Sequence, residues 1–291
     1  MRGLSCLVAL IGWLCYTTGQ AQEIIPFKMN GHYNILVEGI INQKDTVDLM
    51  FQLAMREASL APNRTHPVKS VVFDTTEFPE GLSKSNHIQV GETAVEPIWI
   101  WDNEYTGNGA EGKIGTQLFG NQIVKINYDQ SQFELYQSLP DTTGFIALPL
   151  EQKNGQLFVE VISIVGEKEI QTKVLLQSGF SGALLFNNQL ADEYHLAEVL
   201  SRLEEKTMMN SAGQKLTSLV CEIPAITVGG IRFEIAPVQV FTGEIKNQTT
   251  SYMGADLIHR FNWIIDVKGG TAYIQQNKHF ADAYYFNSNK K

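Results

Sequence analysis

Residues 172–185 read TKVLLQSGFSGALL, and this stretch decides how the chain is interpreted. An apolar run leads into Gln177, Ser178 and Gly179, and a second apolar run starts at Ala183. Runs of valine and leucine favour strands, whereas serine and glycine are frequent turn residues. The stretch therefore predicts a strand that ends in a tight turn at these three residues, with another strand after it.

The segment that leads into this turn has a counterpart in the first half of the chain. Residues 154–177 read as a strand, a short turn and a second strand, and residues 30–52 follow the same order. Both segments begin with Asn-Gly, at Asn30 and at Asn154. Strand, turn and strand repeated in this way indicate an internal duplication.

Two further matches support the duplication. Residues 113–136 align without a gap with residues 252–275, and residues 88–91 match residues 226–229 more weakly. The first of these alignments pairs Ile114 with Met253, Gly115 with Gly254 and Leu118 with Leu257. The order of elements is the same in both halves. The polar stretch from Ser138 to Gly144, which contains glycine and proline, is the predicted linker and places the boundary near residue 140.

Most of the chain reads as short β-prone runs between turn residues, which predicts an all-β fold. One helix is expected in the second half. Asn188 is a candidate cap for it, Leu196, Leu200 and Leu203 recur at helical spacing, and Glu198, Arg202 and Glu205 fall on the opposite face. This helix is expected to pack against its own half, and binding of a partner is the alternative role.

The turn at Gln177 resembles the catalytic turn of clan AA aspartic proteases, the family of pepsin and retropepsin. In that family apolar residues precede Asp, Thr or Ser, Gly and a small residue. A later apolar residue followed by glycine packs behind the turn, and Ile114-Gly115 and Met253-Gly254 match that pattern. Residues 253–266 are especially similar to exported two-repeat members found in bacteria.

The resemblance covers nearly the whole chain after its first 21 residues. It implies two pepsin-like lobes, residues 22–140 and 141–291, that face each other across a central cleft. The two turns are expected at the floor of that cleft.

At the catalytic positions themselves the sequence departs from the family. Gln177 stands where the family has aspartate, followed by Ser178 and Gly179. In the first repeat the aspartate, threonine and glycine are replaced by Gln52, Leu53 and Ala54.

These replacements bear on catalysis. The protease mechanism uses two carboxylates that share one proton, one to activate water and one to polarise the scissile carbonyl. Glutamine does neither, although its amide still donates and accepts hydrogen bonds. Leu53 has no hydroxyl to hold the two turns together, and Ala54 adds a methyl group where the family has glycine.

Three functions remain open from the sequence. The first is a catalytically inactive protein that binds a peptide or protein segment in its cleft. The second is an active peptidase that uses another carboxylate such as Asp74, which follows the apolar residues 71–73. The third is a structural or surface-assembly protein whose cleft is filled by Phe51 and Leu53.

The start of the chain predicts export. Residues 1–21 combine Arg2, an apolar stretch and small residues near Ala21, as a cleavable signal peptide does. The mature protein is then expected outside the cytoplasm, in the periplasm or beyond the cell, with no membrane attachment. Of the three cysteines only Cys221 would remain, in an apolar context that predicts a buried structural thiol.

Composition argues against several other functions. The formal net charge of −9 and the absence of a basic aromatic stripe argue against nucleic acid as a partner. The six histidines show no metal-ligand spacing, so neither a metal nor another cofactor is expected.

Overall fold

The computed structural model of the 291-residue chain describes residues 21, 23–102, 105–107, 109–209, 214–242 and 248–288. The predicted signal peptide lies outside the described residues, except for Ala21. Strands dominate the described part, and each helix there spans six residues or fewer. The all-β prediction is confirmed.

Ten strands come from the first half and eleven from the second within the described residues. Those of the first half are β1 (Glu23–Pro26), β2 (Lys28–Met29), β3 (Ile35–Ile41), β4 (Asp45–Phe51), β5 (Ala58–Leu60), β6 (Leu82–Val90), β7 (Thr93–Trp101), β8 (Gly112–Ile114), β9 (Ile123–Asn127) and β10 (Gln132–Tyr136). Those of the second half are β11 (Ile146–Pro149), β12 (Glu151–Lys153), β13 (Gln156–Val165), β14 (Lys168–Gln177), β15 (Leu184–Leu185), β16 (Ser201–Met209), β17 (Lys215–Val228), β18 (Ile231–Phe241), β19 (Ser251–Gly254), β20 (Phe261–Asp266) and β21 (Thr271–Gln276).

These strands form three sheets. A seven-stranded sheet from the first half has the order β2-β3-β4-β8-β5-β7-β6, and an eight-stranded sheet from the second half has the order β12-β13-β14-β19-β15-β18-β17-β16. The third sheet, β1-β10-β9-β20-β21-β11, joins the halves through antiparallel pairing of β9 with β20. The boundary predicted near residue 140 falls between β10 and β11 and stays a prediction.

The hairpins that carry the two turns form where the sequence predicts them. In β3 the side chains alternate between buried and partly exposed, as expected for a strand with one face on a core. The connection to β4 uses Asn42 and Gln43 at positive φ, a conformation that asparagine tolerates well. In the second half β13 and β14 pair in the same antiparallel way.

The predicted helix is shorter than expected. Asn187, not Asn188, caps it by accepting a hydrogen bond from Leu190 N at 2.8 Å, and α1 (Asn188–Glu193) ends before His195 turns left-handed at φ 50°. A second short helix, α2 (Leu196–Val199), follows.

The last part of the helix prediction is wrong, because β16 begins at Ser201 and pairs with β17. Leu203 and Glu205 therefore lie in a strand, since sheet pairing outweighs the helical pattern of leucines. Leu196 and Leu200 are nevertheless buried in the core of the second half, as predicted.

Of the three remaining helices in the described residues, two directly follow Gly115 and Gly254, and the third lies after β21. They are a 3-10 helix (Thr116–Phe119) after β8, α3 (Ala255–Ile258) after β19 and α4 (Tyr285–Ser288) near the end of the chain. One continuous hydrophobic core runs through both halves. The two turns are thus held between sheets that share a core.

Candidate functional site

The first turn follows β4 and the second turn follows β14. Each of these strands pairs in parallel with the strand that carries the apolar-glycine motif of its own half. Phe51 lies opposite Ile114 on β8, and Gln177 lies opposite Gly254 on β19. The chain thus places each glycine directly behind its turn.

Gly115 and Gly254 have a spatial role in this arrangement. A Cβ atom at position 115 would overlap the Met55 carbonyl oxygen, and one at position 254 would overlap the carbonyl oxygens of Phe180 and Gly182. Only a residue without a side chain lets the two backbones approach this closely.

The Ser178 hydroxyl joins the two turns. Its Oγ accepts a hydrogen bond from Leu53 N at 3.0 Å and donates one to Phe51 O at 3.2 Å. Ser178 is only 2% exposed, so water does not compete for these bonds. Leu53 has no hydroxyl to return them, and a single side chain therefore provides both hydroxyl bonds between the turns.

Gln52 lies against the second turn. A Cβ atom at position 179 would overlap the Gln52 side-chain amide, so Gly179 leaves the space that this amide occupies. Neither Gly179 nor Ala54 adopts a positive φ. Gly179 is therefore not needed for its backbone conformation here, and its lack of a side chain leaves room for the Gln52 amide.

The two glutamine amides are half-buried and weakly engaged. Gln52 Nε2 donates to Met50 Sδ at 3.5 Å, and Gln177 Oε1 accepts from Gly179 N at 3.3 Å. Among the described residues, neither Gln52 Oε1 nor Gln177 Nε2 has a hydrogen bond. One acceptor and one donor are thus available at adjacent turns.

Asn34 belongs to the site and was not predicted from the sequence. Its fully buried side chain donates to Ser178 O at 2.8 Å, and Asn30 Oδ1 accepts from Asn34 N at 3.0 Å. The repeat comparison gave no signal, because the residue that corresponds to Asn34 in the second half is Phe158. A polar residue just before the apolar strand β3 was the one available sign.

Asp74 is exposed and lies outside the strands. Its carboxylate accepts hydrogen bonds from Thr76 N at 2.8 Å and Thr76 Oγ1 at 2.6 Å, which hold the pKa of Asp74 below its usual range. Its backbone forms an isolated bridge with Leu82. A general base works best when its pKa lies near the working pH. The lowered pKa of Asp74 therefore does not favour a catalytic role.

Phe51 and Leu53 are both buried, at 0% and 1% exposure. The Phe51 ring packs against Phe119 and Phe133 at 5.1 and 4.9 Å between ring centroids. Phe51 therefore fills the core of the first half beneath the turn.

Cys221 is a buried free thiol whose pKa is raised by burial, as the sequence predicts for a structural cysteine. Within the described ranges, no group of three His, Cys, Asp or Glu side chains is arranged to hold a metal ion. No helix in the described part of the chain is long and apolar enough to span a membrane.

The fold has clear relatives among solved structures. An aspartic proteinase from Irpex lacteus superposes with a TM-score of 0.56 at 9% identity, covering 90% of this chain and 99% of that chain. Basic 7S globulin from soybean superposes with a TM-score of 0.51 at 10% identity, covering 90% and 97%. The chain has the pepsin-like aspartic proteinase fold.

Sequence comparison finds no corresponding relationship. No protein-family model matches the chain, and no curated protein matches it. Identities near 10% show the fold alone, so the function has to be argued from the site.

Proposed function

We propose that this chain is an exported, catalytically inactive protein of the aspartic proteinase fold that binds a peptide or protein segment across Gln52 and Gln177. The observation that carries the proposal is the pair of half-buried amides at the two adjoining turns. In this assignment Gln52 and Gln177 occupy the two catalytic aspartate positions, and neither provides a base or an acid.

The amides suit the backbone of a bound peptide. A peptide bond offers one N–H and one C=O, and Gln52 Oε1 and Gln177 Nε2 offer the complementary acceptor and donor. Ser178 and Asn34 hold the turns in place without charge. The site therefore favours an uncharged hydrogen-bonding ligand over one that needs an ionised partner.

The test is binding of a peptide-like transition-state inhibitor of aspartic proteases to the mature protein, by calorimetry and by a crystal soak. We expect density across Gln52 and Gln177, and an affinity at least tenfold lower in Gln177→Leu. Gln130→Leu, which removes an exposed amide in the turn after β9, is the matched control and should bind as the native protein does.

The pH dependence separates this proposal from an active carboxylate. Because glutamine does not titrate, affinity should change by less than about tenfold, or 1.4 kcal/mol, between pH 3 and pH 6. A steeper change would place an ionisable carboxylate in the site. Failure of the inhibitor to bind at all would favour the structural role instead.

A further inference from the structure

A separate groove of about 280 Å³ lies between the halves, beside β9 and β20. Its lining combines apolar residues, among them Leu157 and Val267, with the polar residues Asn121, Gln122, Asp266 and Lys268. The one acid and the one base balance each other. A ligand for this groove therefore needs apolar groups and no net charge.

The internal repeat identifies a counterpart groove elsewhere in the molecule. The alignment of residues 113–136 with residues 252–275 pairs Gly120, Asn121 and Gln122 with His259, Arg260 and Phe261. By the same repeat Leu157 corresponds to Tyr33, and Lys268 corresponds to Asp129. The two grooves are thus built from equivalent positions.

The chain's own C-terminal segment, residues 277–288, covers the counterpart. Arg260 Nη1 donates to Phe280 O at 2.9 Å and to Asp282 O at 2.7 Å. Tyr33 Oη donates to Ala283 O at 2.9 Å. The counterpart therefore binds a segment of irregular backbone through side-chain donors.

Aromatic side chains anchor the same segment. The Phe280 ring lies 6.1 Å from the Phe261 ring, and the Arg260 guanidinium lies 4.4 Å from the centre of the Tyr284 ring. Asp129 Oδ1 also accepts a hydrogen bond from Lys278 N at 2.9 Å. The filled groove shows which kind of segment this architecture accommodates.

Chain connectivity explains why the first groove is not covered in the same way. After β21 the chain folds back as residues 277–288, which contact Arg260 of their own half and Tyr33 of the first half. After β10 the equivalent stretch continues into β11, which pairs with β21. The segment that would cover the first groove serves instead as the connection between the halves.

We infer that this groove binds a segment of another protein that has no net charge and carries an aromatic side chain. Its volume lies just below the range of about 300–1,000 Å³ that small-molecule pockets occupy, which favours part of a peptide over a whole small-molecule ligand. Asn121 and Gln122 are placed where Arg260 and Phe261 contact the C-terminal segment. A second copy of this chain is a poorer occupant, because its own segment is already held.

The test uses a labelled synthetic peptide with the sequence of residues 277–288, NKHFADAYYFNS, and the full mature chain in a fluorescence-anisotropy titration. Val267 is 37% exposed at the rim, and Val267→Asp places a charge there. We expect binding to weaken at least tenfold. Val199→Asp, at a 61% exposed valine in α2, should leave binding unchanged. Gln122→Glu is the second rim variant if Val267→Asp does not fold.

Five outcomes would overturn the inference. They are no binding of the peptide, equal binding of a scrambled peptide, binding that is indifferent to the rim variants, competition by the aspartic-protease inhibitor, and a dimer of the chain that occupies the groove. Indifference to the variants would mean that the peptide displaces the native segment in the counterpart groove. Competition would place the peptide at Gln52 and Gln177. A dimer that is lost in Val267→Asp would assign the groove to a second copy.

Discussion

The two turns share a glutamine and differ at the two residues after it. In the first turn Leu53 and Ala54 follow Gln52, and in the second Ser178 and Gly179 follow Gln177. The second turn supplies both hydroxyl bonds to the first turn and the space for its amide. Ser178 and Gly179 are therefore enough to keep the first turn against the second, which explains how the two turns can differ in sequence and stay in contact.

The segments after the turns differ in length and structure. Gly115 follows Gln52 by 63 residues, and Gly254 follows Gln177 by 77. The second half uses its extra residues for the long pairing of β16 with β17, whereas residues 61–81 of the first half contain no strand beyond a bridge at Asp74. The halves are alike at the turn and at the glycine behind it. They differ in the segments between these two features, where the second half has the β16–β17 pair.

The largest expected effect on stability comes from the feature that the halves share, the glycine behind each turn. Gly115→Ala and Gly254→Ala should each destabilise the fold by about 3 kcal/mol or more, because the added methyl overlaps backbone oxygens that cannot move aside. Chemical denaturation measures the change. Gly31→Ala is the control, since a Cβ atom there meets nothing within 4 Å. Tolerance at only one of the two positions would break the equivalence of the halves.

The second effect on stability comes from a feature in which the turns differ, the hydroxyl of Ser178. Ser178→Ala leaves Leu53 N and Phe51 O without their hydroxyl partner, which should cost about 2 kcal/mol. Ser59→Ala is the matched control, because the buried Ser59 Oγ has no hydrogen-bond partner among the described residues and its loss should be nearly neutral. Equal costs for the two serines would mean that the hydroxyl does not join the turns.

The third effect is a pH-dependent change in stability at His259, which lies against the C-terminal segment. The buried His259 ring stacks on Tyr33 and faces Arg260, His279 and Asp282, and burial lowers the His259 pKa to about 4. A histidine held neutral in the folded state contributes stability above its unfolded pKa of about 6.5, and this contribution is lost as pH falls towards 4.

His259→Phe keeps an aromatic ring in the stack and removes the titrating group. As pH falls from 7 to 4.5, the free energy of unfolding of this variant should rise by about 1–2 kcal/mol relative to that of the native protein. Burial raises the Asp256 pKa to about 6, which acts in the opposite direction, so only the difference between the two proteins isolates His259. His195→Phe, at an exposed ring, is the control variant. A pH-independent difference for His259→Phe would contradict the assignment.

The smallest effect again compares the turns. A carboxylate at position 177 is placed to accept the Gly179 N–H that Gln177 accepts now, so Gln177→Asp should cost less than about 1 kcal/mol. Among the described residues, Gln52 Oε1 accepts no corresponding backbone N–H bond. Gln52→Asp should therefore cost more than Gln177→Asp in thermal melts at pH 7. The reverse order would show that the first turn supports a charge better than its contacts suggest.

The sequence predicted the fold well because its signals repeat. The hairpins before Gln52 and Gln177 and the glycines after them appear twice, and each occurrence supports the other. The helix prediction failed at Leu203, because pairing of β16 with β17 is a long-range effect that local spacing does not contain. Asn34 was missed for the same reason, since its contact with Ser178 joins residues 144 positions apart.

The most direct test of the account is hydrolysis of a quenched peptide library by the purified mature protein between pH 3 and pH 7. Because glutamine neither activates water nor protonates a leaving group, the account predicts no turnover above a heat-treated control. Sustained turnover would contradict it. Loss of that turnover in Asp74→Asn would assign the chemistry to Asp74, and its loss in Gln177→Leu alone would show that the amide pair supports a mechanism of its own.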